Sequence, residues 1–171
     1  MDDRVNEYVN DFNKIDYDHI LLSYVGKNIK PRYILGTSTY PVTLEINNCI
    51  ALFGVDNAYG KLYMKISLHR NDNHLENIKN VSIFKNIDNT LSKLIQEKEN
   101  AILEPNLNKN IIQTMLDRNI TILDNSGNNV SVFSITKGIQ IKTLQITLGD
   151  IFYVSKSQKY NYKWIVNKIV L

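Results

Sequence analysis

Hydrophobic and polar positions alternate with a period of two through much of the middle of the chain, which is typical of half-buried β-strands. The alternation is clearest over residues 61–68, where the apolar positions are Leu62, Met64, Ile66 and Leu68. The preceding run, Cys49–Val55, is continuously apolar and predicts a well-buried strand. We expect these two strands to form a β-hairpin with a loop of about five residues. Another strand is predicted from Tyr40 to Ile46, with a turn at residues 47–48.

Other segments show helical spacing instead. Residues 2–14 place apolar side chains on one helical face, which predicts a short amphipathic N-terminal helix. Asp88 can cap the N-terminus of a further helix, which Pro105 ends. Residues 106–117 repeat an i, i+4 apolar pattern that fits another short helix. The sequence therefore predicts an insertion of one or two helices near residues 88–117.

Strand patterns return after this insertion. Segments 120–123 and 130–135 are predicted strands joined by a polar turn, and 139–148 alternates again. Residues 149–171 place two aromatic-rich strands around a polar turn, as a closing hairpin. This order predicts a mostly β (α+β) fold, an antiparallel barrel or β-sandwich with the N-terminal helix and the helical insertion. We divide the chain into an N-terminal helix and connector, 1–30, and a single β-rich domain, 31–171.

Composition adds the possibility of an anionic partner. The 171 residues are 43% hydrophobic and 22% charged, enough for a sizeable core. The net charge is only +3, but six lysines and a single acid, Asp150, fall within residues 129–171. Residues 1–27 hold six acids and three bases. The basic last quarter fits either an anionic partner or a solvated strand face.

The sequence carries no signature of catalysis. Its three histidines are scattered and its single cysteine makes no zinc spacing, while phosphate-binding, dinucleotide-binding and nucleophile-elbow motifs are absent. We predict a non-enzymatic protein without catalytic residues, metal or cofactor. Cys49 sits in an apolar run and is interpreted as a buried small hydrophobe. A lone cysteine, with no signal peptide or membrane span in the sequence, favours an intracellular, reducing compartment and no membrane partner.

Binding chemistry is the remaining possibility. Nucleic-acid single strands are held by cations that follow the phosphates and by aromatic rings that stack on bases. The candidate binding residues are Lys61, Tyr63, Lys65, Arg70, Lys142, Tyr153, Lys156, Lys159, Lys163 and Trp164. In the last strand, alternation puts Trp164 and Lys163 on opposite faces, so both serve one groove only if the strand contains a bulge. Otherwise Trp164 belongs to the core, which favours the turn lysines and Tyr153 as binding residues.

The C-terminal half resembles a known family. Lys137-Gly138, the alternating strand, Ile151-Phe152-Tyr153 and a short basic turn are followed by Tyr160, Trp164 and Ile169-Val170-Leu171. Over residues 75–171 this pattern is similar to the single-stranded DNA-binding proteins of nucleocytoplasmic large DNA viruses, which are akin to the T7-type phage protein. The resemblance implies an OB fold with helical insertions. It also implies single-stranded DNA (or RNA) binding in viral replication, recombination or repair.

The sequence departs from the phage type because it ends without an acidic C-terminal tail. We therefore expect the acidic N-terminal helix to recruit a protein partner or to mediate self-association. A structural virion or scaffold component, such as a minor capsid protein, is the alternative function, and it predicts exposed apolar strips on the helix or strand edges. The expected location is the host cytoplasm or a viral factory, or else the virion.

Overall fold

The computed structural model describes residues 9–10, 14–68 and 74–171, except the side chains of His74 and Glu76. Its strands are β1 (Val9–Asn10), β2 (Ile20–Val25), β3 (Asn28–Leu35), β4 (Ser38–Pro41), β5 (Thr43–Ala58), β6 (Lys61–Ser67), β7 (Ile111–Leu123), β8 (Gln140–Leu148), β9 (Phe152–Val154), β10 (Lys159–Asn161) and β11 (Trp164–Val170). The helix α1 spans His74–Glu99, and short 3-10 turns lie at Tyr17–His19 and Val132–Ser134.

Within the described residues, five strands close into a barrel in the order β5-β6-β7-β11-β8, with β8 pairing back to β5. The pairing of β7 with β11 is parallel, and the other pairings in the barrel are antiparallel. Closure leaves the barrel without an open sheet edge. A closed barrel of this kind with α1 inserted between β6 and β7 is OB-like. The predicted mostly β fold is confirmed, and it is a barrel and not a sandwich.

The barrel interior and the inner face of α1 share one hydrophobic core. Along the helix, Phe84, Ile87, Leu91 and Ile95 recur at spacings of three and four and are fully buried. The helix begins at His74, well before the predicted start at Asp88. The segment before residue 81 is mostly polar, and its few apolar residues do not reveal the helical stripe.

Asp88 is not an N-cap. It lies in the interior of α1, is buried, and accepts hydrogen bonds from the backbone N–H groups of Asn106 (3.0 Å) and Leu107 (2.9 Å). A carboxylate in the middle of a helix satisfies distant donors here, so the usual local capping rule does not apply.

The predicted helix at 106–117 is wrong, because residues 111–123 form β7. Ile112, Thr114 and Leu116 point inward with period two. Apolar residues in adjacent pairs at Ile111-Ile112 and Met115-Leu116 satisfy both helical and strand periods, and barrel pairing decides between them. Within the described residues, the predicted helical insertion therefore consists of α1.

Smaller corrections concern turns. The β5–β6 hairpin is confirmed, but its connection is the two-residue turn at 59–60, because Ala58 pairs with Lys61. Residues 47–48 lie inside the long strand β5, where Asn48 takes a φ of 64°. The predicted strand at 130–135 is instead the 3-10 turn at Val132–Ser134.

In the described part of the N-terminal region, β2, β3 and β4 form a separate antiparallel sheet of three strands, here called the meander. The expected division of the chain at residue 30 falls inside β3. Val9–Asn10 is a short strand parallel to β5, not helix. Most of the predicted N-terminal helix lies outside the described residues.

The closing segment contains the predicted hairpin in part. β9 and β10 pair, with Tyr153 opposite Tyr160, but β11 is a separate strand of the barrel. The hairpin is docked through the backbone on two sides. Ile151 N–H donates to the carbonyl of Ile29 in the meander (2.8 Å), and Tyr160 N–H donates to the carbonyl of Ile102 after α1 (2.8 Å).

Candidate nucleic-acid interface

A groove of about 980 Å³ lies between the outer face of the barrel and the meander. Its floor comes from β6, β7, β8 and β11, and β3 supplies much of one wall. Among the described residues, the cationic side chains that line it are Lys30, Arg32, Lys61, Lys163 and Lys168. Its acidic side chains, within the same described set, are Asp117 and Asp150. The groove therefore carries a positive excess of three charges from these residues.

The outward face of β6 contributes a row of basic and aromatic side chains. Met64 and Ile66 are buried, so alternation turns Lys61, Tyr63 and Lys65 outward, as predicted. Lys61 and Tyr63 line the groove, and Lys65 lies close enough to Lys163 to affect its titration.

Lys163 lies where the closing hairpin joins β11. Its Nζ is 5.8 Å from the ring centroid of Tyr63 and 3.2 Å from Oε1 of Gln113, to which it donates. Partial burial, and then the charge of Lys65, lower the pKa of Lys163 below its usual value. The face of the Tyr63 ring and the side-chain amide oxygen of Gln113 thus hold the Lys163 ammonium group at the groove floor.

Gly149 fixes the backbone at this point. Its N–H donates to the carbonyl oxygen of Lys163 (2.9 Å), and a Cβ at Gly149 would lie 2.7 Å from that same oxygen. A side chain at position 149 would push the Lys163 backbone away. The glycine therefore permits the close approach of β8 and β11 that positions Lys163.

Trp164 is a core residue, which corrects its prediction as a binding residue. Its side chain is 0% exposed and packs edge-on against Phe84 (5.3 Å) and Tyr162 (6.3 Å). A register shift in β11 between Val166 and Lys168 lets Ile169 also face inward. This bulge lies beyond Trp164, so it does not bring Trp164 to the face of Lys163.

The other predicted residues that the structure describes do not line the groove. Tyr153 stacks edge-on against Tyr160 (5.3 Å). Lys159 pairs with Glu104 at 3.1 Å. Lys142 on β8 and Lys156 in the hairpin turn are exposed away from the groove lining. Arg70 lies outside the described residues.

Several groove residues were missed by the sequence analysis. The meander supplies Lys30 and Arg32, whose alternation with buried Ile29, Pro31 and Tyr33 was the available signal. The hairpin supplies Phe152, which precedes Tyr153 and projects to the other side of the strand. Lys168 follows the bulge in β11, whose position the sequence does not indicate.

Lys30 and Arg32, the cations of the meander, have partners within the protein. Lys30 Nζ lies 3.1 Å from Oδ1 of Asp150, so an ion pair links the meander to the start of the hairpin segment. Arg32 Nη2 donates to the carbonyl of Thr39 on β4 (2.8 Å). These contacts hold two cationic side chains against the wall of the groove.

A polar floor lies between these cations. The hydroxyl oxygens of Thr43 and Thr147 are 2.9 Å apart, and the side-chain amide of Asn167 donates to Thr147 Oγ1 (2.7 Å). These groups offer hydrogen-bonding capacity to a ligand across β5, β8 and β11.

A buried polar network supports the site from below. The amide of Asn106 accepts from Gln113 N–H (3.0 Å) and donates to the carbonyls of Gln113 and Tyr162 (both 3.1 Å). The Tyr162 hydroxyl donates to Asp88. Burial raises the pKa of Asp88 despite these hydrogen bonds, and burial beside Asp88 raises the pKa of Tyr162 well above its usual value. Gln113 and the backbone before Lys163 are thus tied to α1.

Within residues 9–10, 14–68 and 74–171, no cluster of three or more His, Cys, Asp or Glu side chains is arranged to hold a metal ion. Nor does the described part of the chain contain a helix with the length and apolarity needed to cross a membrane. Cys49 is 1% exposed, which confirms its interpretation as a buried small residue, and burial raises its pKa to about 12.

Comparisons with known proteins give similarity in structure only. No protein-family model matches the sequence, and no curated protein sequence matches it. The single-stranded DNA-binding protein from bacteriophage Enc34 has 11% identity and a TM-score of 0.50, over 88% of this chain and 88% of that one. The same protein in complex with single-stranded DNA has 10% identity and a TM-score of 0.47, over 86% and 91% of the two chains.

A single-stranded DNA-binding protein encoded by bacteriophage T7 is also similar. It has 9% identity and a TM-score of 0.47, over 77% of this chain and 86% of that one. At these identities a likeness reports the fold and nothing about the ligand. The chain described here shares its overall fold with the Enc34 protein.

Proposed function

We propose that this protein binds single-stranded DNA, without sequence preference and without catalysis, in the groove between the barrel and the meander. The observation that carries the proposal is the lining of that groove. Its lining combines cationic side chains from β3, β6 and β11, and that of Lys163 just before β11, with the aromatic rings of Tyr63 and Phe152. A lining of this kind suits a polyanion with exposed bases.

The arrangement assigns a task to each class of residue. Lys30, Arg32, Lys61, Lys163 and Lys168 neutralise phosphates. Tyr63 and Phe152 stack on bases, with each stacked base contributing about 1–3 kcal/mol whatever its identity. The polar row of the floor binds bases or sugars. Lys65 extends the cationic surface beyond Lys163.

The fold supports this proposal as well. OB barrels bind oligonucleotides on the face of their second and third strands, which are β6 and β7 here. The protein of matching fold at a TM-score of 0.50 is a phage single-stranded DNA-binding protein. As part of the same proposal, the protein acts in the replication, recombination or repair of a viral genome inside an infected cell. The link to nucleocytoplasmic large DNA viruses stays a prediction.

Lys142, Tyr153, Lys156 and Lys159 have a smaller part in this proposal. They lie outside the groove lining, and Lys159 and Tyr153 already contact Glu104 and Tyr160. We assign them to the border of the bound strand, where their charges are solvated and contribute less.

Fluorescence anisotropy with labelled oligo-dT tests the proposal. We expect binding that weakens with salt by about 0.7 log units per log unit of salt for each phosphate contacted. A duplex of the same length and an oligo-rU strand serve as competitors. Absence of micromolar binding to oligo-dT at low salt would overturn the proposal. Stronger competition by oligo-rU would reassign the ligand to RNA.

The alternative, a structural virion or scaffold component, stays a prediction. Leu75 and Ile78 are exposed on α1, at 80% and 54%, and suit a protein contact. Such a contact is compatible with DNA binding and with a scaffold role alike, so our proposal rests on the groove and not on the helix. Light scattering of the purified protein, with and without oligo-dT, separates self-assembly from DNA binding.

A further inference from the structure

Tyr59 occupies the tip of the β5–β6 hairpin in an unfavourable backbone conformation. Because Ala58 pairs with Lys61, Tyr59 and Gly60 are the two central residues of the turn, and their φ angles are 53° and 75°. Positive φ at both positions is the requirement of a type I′ turn, which Asn-Gly fills best. Gly60 fits this requirement, whereas the Cβ and ring of Tyr59 are disfavoured there.

Packing within the described chain does not compensate for this strain. The Tyr59 side chain is fully exposed, with a relative accessibility of 102%. Among the described non-glycine residues with positive φ, Tyr59 is the only aromatic one; the others are Asn48, Asn100, Lys109 and Gln158. A large ring held in water on a disfavoured backbone costs stability in the free protein, and strain of this kind clusters at ligand-binding sites.

Tyr59 also continues a pattern along β6. Tyrosine and lysine alternate at every second position in the order Tyr59, Lys61, Tyr63 and Lys65. In an extended strand, every second residue is separated by about 6.6 Å. Lys61 and Tyr63 line the groove, and Tyr59 lies two residues before Lys61, in the hairpin turn outside the groove lining.

We propose that Tyr59 stacks on a base just beyond the groove, so that the bound strand runs along β6 from Lys65 to the hairpin tip. This inference rests on the proposed function. It adds the path of the bound strand along β6 and a contact residue outside the groove. The turn accepts a strained tyrosine because the ring is needed for the ligand.

Three substitutions at this position separate stacking from stability. Tyr59→Asn gives the preferred Asn-Gly turn, and we expect its Tm to rise by about 2–4 °C while its affinity for oligo-dT of about 20 nucleotides falls about fivefold or more. Tyr59→Phe keeps the ring, so its affinity should match the original chain. Tyr59→Leu keeps an apolar side chain without an aromatic face, so its affinity should fall without the gain in Tm.

The outcomes are distinguishable. If the original chain binds oligo-dT and Tyr59→Asn and Tyr59→Leu bind equally well, this inference is overturned while the proposed function stands. If Tyr59→Phe loses affinity as much as Tyr59→Leu, a role of the hydroxyl replaces stacking and the inference is also overturned. If the original chain does not bind at all, both the proposed function and the inference fail.

Discussion

The hydroxyl of Tyr162 donates a hydrogen bond of 2.5 Å to Oδ1 of Asp88, which joins the residue just before Lys163 to the interior of α1. Both side chains are buried, and the same carboxylate also accepts the backbone N–H groups of Asn106 and Leu107. This contact connects the helix, the start of β11 and the segment before β7. The helix is thereby linked to the floor of the proposed binding groove.

Tyr162→Phe should lower the free energy of unfolding by about 1–3 kcal/mol, because the buried Asp88 carboxylate loses a donor. Urea unfolding at neutral pH measures the loss. Tyr160→Phe is the matched control, since the Tyr160 hydroxyl makes a long hydrogen bond of 3.4 Å to Glu99 on a more exposed surface. Equal effects of the two substitutions would show that the Asp88 contact is not a special stabilising feature.

The Asp88 carboxyl should also make stability depend on pH. Burial raises its pKa in the folded protein above the ordinary value of 3.8, so folding favours the protonated form. The contribution of Asp88 to stability is fully present below pH 3.8 and declines as the pH rises through the pKa of the folded protein. Asp88→Asn does not titrate, so the difference in unfolding free energy between the original chain and this variant should shrink from acid to neutral pH. A difference that grows with pH would contradict the direction of the shift.

Sequence reasoning succeeded where one face of a strand is buried and failed where long-range contacts decide. The alternation of Leu62, Met64 and Ile66 was sufficient to predict β6 and its outward lysines. The same reasoning recognised that Trp164 and Lys163 oppose each other, and the core placement of Trp164 follows from packing under Phe84. In contrast, the first half of β7, residues 111–117, was predicted as helix because paired apolar residues satisfy both periods, whereas its end at residues 120–123 was predicted as strand.

The wall of the groove was not predictable from local pattern. Residues 29–33 alternate as a strand, but this alternation does not place Lys30 and Arg32 at the groove. The backbone hydrogen bond between Ile29 and Ile151 holds this strand beside the hairpin segment. Two residues separated by more than a hundred positions are brought together by the tertiary fold. Local periodicity carries no information about such a contact.

Among the cations at the floor of the groove, Lys163 should be the one whose substitution weakens DNA binding most. Lys163→Gln removes one phosphate partner and should reduce the salt dependence of oligo-dT binding by about 0.7, with weaker affinity at low salt. Lys142→Gln, which removes an exposed charge outside the groove lining, is the control and should change both quantities less. Anisotropy titrations at several salt concentrations give the two slopes. Identical slopes would remove Lys163 from the binding site.

Gly149→Ala should destabilise the junction of β8 and β11, since the added Cβ would lie 2.7 Å from the carbonyl oxygen of Lys163. We expect a loss of about 1–3 kcal/mol, as for other overpacked sites. Ser155→Ala, in the exposed hairpin turn, is a control that should leave unfolding unchanged within about 0.5 kcal/mol. Thermal unfolding compares them, and an unchanged Tm for Gly149→Ala would contradict the tight approach.

Asp150 should oppose DNA binding for two reasons. Its carboxylate forms an ion pair with the Lys30 ammonium, and it repels phosphate inside a cationic groove. Asp150→Asn keeps the shape of the side chain and frees the Lys30 ammonium. The ion pair is partly exposed and stabilises the fold by about 0–1 kcal/mol at most, so the variant should fold normally. We expect its affinity for oligo-dT at low salt to rise about two- to fivefold, and the gain to shrink as salt screens the charge.

Asp18→Asn removes an equal charge from an exposed position outside the groove and is the control. An equal gain in both variants would indicate a general charge effect, and weaker binding by Asp150→Asn would show that Asp150 positions Lys30 for the ligand instead of competing with it.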